Sequence, residues 1–411
     1  MPKISKILLL VVSVVLVLAV FLGVNSSGVS AASDQDGAYN QINVYSEVLR
    51  HIQTDYVVDP NIPAVTDGAM RGLLESLDAD SSYLTPAEYK VYKVDKGGKA
   101  QVGINASKRF GYATVVSVVP GSPADKANLN DGDIIEAIGS EDTRNLSLAM
   151  IRRMLEGQPG SELTISVVRP RKAVPDKLTM TRTLVAYPAV AETMYENSSI
   201  LYLKPDVVDH EQVEQLAQKL KGMQKAGNKK ILLDLRNVAA GDMPDAIRLA
   251  NFLLPSGTIA SLEGQKVAKQ TFAVDPSKTI NATAPVVVLV NRGTAGPAEL
   301  VAAALLDNKR AELVGERTFG EGAQQKTFEL PDGAAVILTV AKYESPSGKK
   351  LQDDAVMPGV LVASNIPDQD DAEDETTEGT PAVQKPAVQK PAITVDEQLT
   401  KALDLLKSKT A

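Results

Sequence analysis

The strongest constraint on this chain is an alternation. Between residues 190 and 362, apolar runs at Lys230 to Leu235, Pro285 to Val290 and Ala335 to Val340 are separated by helical patterns. Continuous apolar runs of this length read as strands buried on both faces, and their alternation with helices predicts an α/β core. Ala298 to Leu306 is predicted as a buried helix. Gly296 falls at its N-cap and Pro297 in its first turn, where a missing N–H is tolerated.

The chain is 411 residues long, more than one ordinary core needs. At about 150 residues per domain, two or three folded units with linkers are expected. From Gln41 to Tyr92 the pattern is helical. Val44, Val48, Leu49 and Ile52 share one face and Met70, Leu73, Leu74 and Leu77 another, and these helices are expected to pack together. Residues 98 to 172 change to short β-rich runs (Thr114 to Val119, Ile134 to Ile138, Leu163 to Val168) with turn signals between them and one helix, Ser147 to Leu155. Residues 363–394 are acidic from Asp368 to Glu375 and then repeat Pro-Ala-Val-Gln-Lys, a composition of solvated linkers. Residues 395–411 end the chain with Asp396 placed to cap an amphipathic helix bearing Leu399, Ala402, Leu403 and Leu406. The predicted organisation is therefore an amino-terminal segment at 1–32, a helical region at 33–97, a β-rich domain at 98–172, the α/β core at 190–362, a linker and a last helix.

Lys3 and Lys6 precede an unbroken apolar run from Ile7 to Val24, followed by the small residues Val29-Ser30-Ala31-Ala32. This is the pattern of an export signal. Its length fits a cleaved signal and a retained membrane anchor, the anchor being slightly favoured. Everything after residue 32 is then expected in the cell envelope or periplasm, or secreted. The absence of cysteine removes disulfides, thiolate metal sites and a cysteine nucleophile together. Only His51 and His210 supply imidazoles, and neither has partners at ligand spacing, so no metal and no cofactor is expected. The net charge of −8 comes partly from the acidic linker and leaves no basic face for nucleic acid.

At Val102-Gly103-Ile104 a glycine lies between apolar residues, and downstream come Gly121-Ser122-Pro123-Ala124-Asp125 and Gly132-Asp133-Ile134-Ile135. This ordered set resembles the PDZ domains of bacterial envelope proteases. The resemblance implies a peptide site at Val102, Gly103 and Ile104, where loop N–H groups take a terminal carboxylate and a neighbouring strand takes the tail by strand addition. Asn128 stands where such domains have glycine, a mild change because asparagine tolerates left-handed backbone.

Within the core, Ile231 to Asn237, Pro285 to Asn291, Gly315 to Gly320, Leu330 to Gly333 and Tyr343 to Gly348 resemble, in order and spacing, the carboxyl-terminal processing peptidases. Leu77 to Leu84 and Asp396 to Leu399 are similar to the same family, so the likeness covers residues 40–362 and the last helix. The implied core is related to the crotonase and ClpP-like fold. The implied chemistry is a serine nucleophile at a helix start, a lysine base, and a glutamine four residues past the lysine. The nucleophile motif Ser-Ala-Ser-Ala-Ser-Glu matches Thr294-Ala295-Gly296-Pro297-Ala298-Glu299, which puts Gly296 at the nucleophile position. The lysine motif Thr-Phe-Gly-Lys-Gly matches Thr318-Phe319-Gly320-Glu321-Gly322, which puts Glu321 at the base position, and the glutamine matches Gln325. In the turn implied to supply oxyanion contacts, Ala240 replaces the first of two glycines before Gly241.

Glycine has no atom that can form an acyl-enzyme, so the expected function is a pseudoprotease of the envelope. It would bind protein or peptide carboxyl-terminal tails, with a second copy of itself or an active relative as a further partner. The enzymatic alternative needs a displaced nucleophile, and Thr294, with Lys326 beyond Gln325, is the candidate. It would have to act from several ångströms away. A third reading is an anchored spacer without a ligand.

Overall fold

The computed structural model describes residues 32–94, 100–109, 111–169, 174–223, 225–364 and 395–409. The run Ile7 to Val24 and the linker from residue 365 to 394 lie outside the described residues. Among the described residues no helix is long and apolar enough to cross a membrane. The described residues fall into two compact units, divided between Ala69 and Met70. The first contains helix α1 (Ala32–Asp55) and the start of α2 (Ile62–Glu75).

The expected apolar faces here are only partly buried. Val44 and Val48 are exposed, as are Leu73 and Leu77, and Leu74 alone of the second set is buried. The helical pattern is also interrupted where the sequence suggests that it continues. Asp78 accepts the backbone N–H groups of Asp80 (3.0 Å) and Ser81 (2.7 Å), an aspartate turn that ends helical propagation. Strand β1 (Ser82–Leu84) follows, and then α3 (Pro86–Lys93), started by a Thr85/Glu88 capping box.

The second module is an antiparallel sheet of β2 (Ile104–Arg109), β3 (Tyr112–Val118), β4 (Ile134–Ile138), β5 (Glu141–Asp142), β6 (Glu162–Val168) and β7 (Asp176–Thr181). The strand order is β2-β3-β4-β6-β7, with β5 on β4, so β2 is an edge strand. A short helix α4 (Pro123–Lys126) and the longer α5 (Leu148–Leu155) accompany it, each capped by a serine. Strand β7 carries this module past the boundary expected at residue 172. Strands β6 and β7 pair across that boundary, with Val167 opposite Asp176.

The core sheet runs β17-β14-β13-β10-β9-β8. Its strands are β8 (Ala191–Tyr195), β9 (Ile200–Lys204), β10 (Lys230–Asp234), β13 (Val286–Val290), β14 (Ala311–Gly315) and β17 (Val360–Leu361), all parallel except β8. Between them come β11 (Thr258–Glu263), β12 (Gln270–Ala273), β15 (Ala323–Glu329) and β16 (Ala335–Glu344). These form a separate antiparallel layer that β1 joins by pairing with β16, so the amino-terminal region contributes a strand to the core.

The period-2 alternation of the buried strands explains how two helical layers cover one sheet. Ile231, Leu233, Val286, Val288 and Val290 face α6 (His210–Gly222), α7 (Met243–Leu253) and α8 (Pro297–Asp307). Leu232, Val287 and Leu289 face the opposite way, against Ala402 and Leu406 of the last helix. That helix, α10 (Glu397–Ser408), follows a short α9 (Leu351–Asp354) in the helix order and begins at its Asp396 cap. Arg236 joins Asp234 at the end of β10 to Asp396, with Nη1 2.9 Å from one Asp396 oxygen. The carboxyl ends of β10 and β13, where open α/β sheets place their ligands, carry the loops that hold the candidate site.

Candidate peptidase-like site

The loop after β13 is fastened to the loop after β10. Asn291 donates to the Asn237 side chain (2.7 Å), and its own oxygen accepts the Asn237 N–H (2.9 Å). Ala295 N–H reaches the Val238 carbonyl at 2.9 Å. This brings Gly296 to the mouth of α8 with φ 56° and ψ −115°. That is the sharp strand-to-helix elbow on which hydrolases raise a nucleophile, a backbone glycine adopts without strain. A Cβ at Gly296 would meet nothing nearer than the Ala239 carbonyl oxygen, 3.9 Å away. The loop thus leaves room for a side chain at this position.

The residue after it, Pro297, makes a further difference that sequence reasoning missed. In such elbows the residue after the nucleophile gives its backbone N–H to the oxyanion, and proline has none. The signal was in the sequence, but proline at the first helical position has an ordinary explanation. Across the gap, Gly241 (φ 128°) is packed so tightly that a Cβ would lie 2.2 Å from the Val208 oxygen. The Ala240 carbonyl accepts the Val208 N–H at 3.0 Å.

Gly296 and Glu321 are drawn together by a residue the sequence did not mark as functional. Glu299 is fully buried in the first turn of α8. Its Oε2 accepts the N–H groups of Gly296 (3.0 Å) and Glu321 (2.7 Å). Its Oε1 accepts from Gly320 N–H (2.8 Å) and from the Thr318 hydroxyl. Burial pushes this carboxyl up to about 7, against the pull of those four donors.

Glu321 itself is spoken for. Its carboxylate pairs with Arg152 of α5 at 2.9 Å, and Arg152 lies 3.4 Å from Asp80. Burial pushes the Glu321 carboxyl up, Arg152 pulls it back, and Asp80 raises it again. Neither Arg152 nor Asp80 stands out in the sequence. An arginine near a helix end is what the helix dipole favours anyway. Gln325 is exposed on β15 and borders a cavity of ≈ 430 Å³ with Asp80 and Arg152.

Thr294 has its hydroxyl committed to backbone groups of the two loops. Its side chain is fully buried, its hydroxyl donates to the Leu235 carbonyl (2.8 Å), and it accepts the Asn291 N–H (3.0 Å). A hydroxyl whose proton is held by a buried carbonyl has no base to receive it. Lys326 is exposed, its ammonium 5.3 Å from the centre of the Phe328 ring.

The expected peptide-binding segment sits at the entrance of β2. Val102 and Ile104 are buried, and Gly103 (φ 87°) lies where a Cβ would fall 2.3 Å from Ser122. Its carbonyl accepts Val119 N–H, and that of Val102 accepts Ala124 N–H, both at 2.9 Å. Asn128 adopts the left-handed φ of 54° expected where relatives have glycine. Between β2 and α5 opens a cavity of ≈ 270 Å³. Ile104, Ala106 and Leu155 of the PDZ module line it together with Ala240, Gly241 and Glu321 of the core.

Residues 199–362 match peptidase family S41, and residues 114–169 match the PDZ domain. A carboxyl-terminal-processing protease of Picosynechococcus sp. is 35% identical over 301 residues, covering 72% of each chain. The chain belongs to peptidase family S41. The carboxy-terminal processing protease CtpA of Bacillus subtilis is 28% identical over 89% of this chain and 78% of its own length. Among solved structures, the photosystem II D1 C-terminal processing protease superposes with a TM-score of 0.64 at 26% identity, covering 78% of this chain. The S41 core and the PDZ module are thus both present.

Proposed function

We propose that this S41-family chain binds the carboxyl-terminal tails of proteins in its PDZ groove and does not cleave them. The observation that carries the reading is Gly296, which occupies the elbow with no side-chain atom to attack a carbonyl. Pro297 lacks the adjacent N–H, and Glu321 pairs with Arg152 in place of activating a hydroxyl. The buried, committed hydroxyl of Thr294 speaks against a displaced nucleophile. The relatives' printed names are those of processing proteases, and the groove that would guide a tail toward such chemistry is retained here.

The test is cleavage of an unfolded reporter with an apolar carboxyl terminus by the native chain, beside a variant carrying Gly296→Ser and Glu321→Lys. Cutting by the variant alone supports a binder from which the chemistry was removed. Cutting by the native chain would sink the proposal. In the same proposal the chain is exported to the cell envelope and held or released at the Ile7 to Val24 run, and it pairs with a second copy or with an active relative. Cell fractionation, with the amino terminus of the recovered chain sequenced, checks the export.

A further inference from the structure

We infer that Glu321, at the position where relatives place their base, is a positioning residue that holds Arg152 across the edge strand of the PDZ sheet and so raises the threshold for tail binding. The inference rests on the tail-binding reading and specifies its regulation.

Strand addition requires the outward carbonyls and N–H groups of an edge strand. In this module the edge strand beside the groove is β2. The carbonyl of Ala106, within β2, is already occupied, because Arg152 Nε donates to it at 3.0 Å. The same guanidinium donates to Glu321 at 2.9 Å and faces Asp80 at 3.4 Å. One side chain of α5 therefore ties together the edge strand, the core loop and the turn before β1.

Both carboxylates are themselves anchored. Glu321 N–H is fixed on Glu299 at 2.7 Å. Asp80 accepts from Gln352 (3.1 Å), whose oxygen takes the Gly322 N–H (2.8 Å). A tail that lies along β2 must take the Ala106 carbonyl from Arg152. The guanidinium gives it up more readily the less firmly it is held elsewhere. Lysine at position 321 would repel Arg152, whereas glutamate attracts it. The change at this position thus removes a base and installs a counter-ion for the PDZ helix.

The experiment is an anisotropy titration of a fluorescein-labelled decapeptide ending in Ala-Ala-Val-COOH, with its carboxyl-amide as control, against the full native chain and three variants. E321Q is expected to lower Kd about threefold, and R152A and E321K up to about fivefold, the range set by a partly exposed ion pair. Combining R152A with E321Q should add nothing beyond R152A alone, because both act through one contact. A purely structural role for the pair would move melting temperature without this non-additive gain in affinity. Unchanged Kd in both E321Q and R152A, with the native chain binding the peptide, overturns the inference and leaves tail binding standing. Weaker binding by R152A also overturns it, since Arg152 would then be a ligand contact. No binding by any chain removes the tail-binding reading and the inference together.

Discussion

Gly296 and Glu321, the two positions that the sequence motifs match to the family's dyad, are held in opposite ways. At Gly296 the backbone takes φ 56° and ψ −115°, with open space where a side chain would stand. At Glu321 the side chain is engaged, pairing with Arg152 and lying within reach of Asp80. One position offers no side chain and the other offers one already engaged. The difference teaches that two loops at one site can be held in unlike ways: the Gly296 loop is fixed by the Asn237 and Asn291 hydrogen bonds, and the Glu321 loop is tied to α5 through Arg152.

The sharpest way to break this comparison is to try to restore the chemistry. In a G296S/E321K background, adding P297A returns a backbone N–H beside the nucleophile and should raise reporter cleavage about a hundredfold to a thousandfold. Equal rates with and without P297A would mean that Pro297 is not part of the loss. Next in size is Glu299, which ties the two positions together. E299Q replaces an acceptor oxygen by a donor amide among four donors, and should lower unfolding free energy by about 2–4 kcal/mol in a urea titration.

The same carboxyl gives a pH signature. Its folded value of about 7 lies above the ordinary 4.5, so its stabilising share is full below pH 4.5 and is lost as pH rises through about 7. Melting temperature should therefore fall between pH 5 and 7 in the native chain and flatten over that window in E299Q. The smallest effects separate the two dyad positions directly. G296A fits sterically but must hold an unfavourable backbone conformation, costing about 1–3 kcal/mol without changing tail affinity. E321Q, losing a partly exposed ion pair, should cost less than about 1 kcal/mol.

Much of this arrangement was legible because it is periodic or motif-bound. The apolar runs of β10 and β13, the Pro297 helix start and the Asp396 cap all follow local rules, and each appears where the residues place it. The Gly296 and Glu321 substitutions were visible as departures from a motif. Less legible were features that the apolar pattern does not encode. β7 pairs beyond the boundary expected at residue 172, and the aspartate turn at Asp78 interrupts a helical pattern that hydrophobic spacing alone would continue. Arg152 could not be singled out, since its partners Ala106, Asp80 and Glu321 lie 46, 72 and 169 positions away and meet only in the folded chain. Glu299 was quoted within a motif, but only burial among converging N–H groups reveals what it does.

The docking of α10 bears on how the chain would respond to proteolysis. This helix lies beyond residues 365–394, yet Ala402 and Leu406 are completely buried beneath the sheet and Asp396 is clasped by Arg236. A cut anywhere in that stretch would sever the chain covalently while leaving its last helix bound by apolar contact and an ion pair. Such nicked protein would run as two bands under denaturing conditions and elute as one species under native ones.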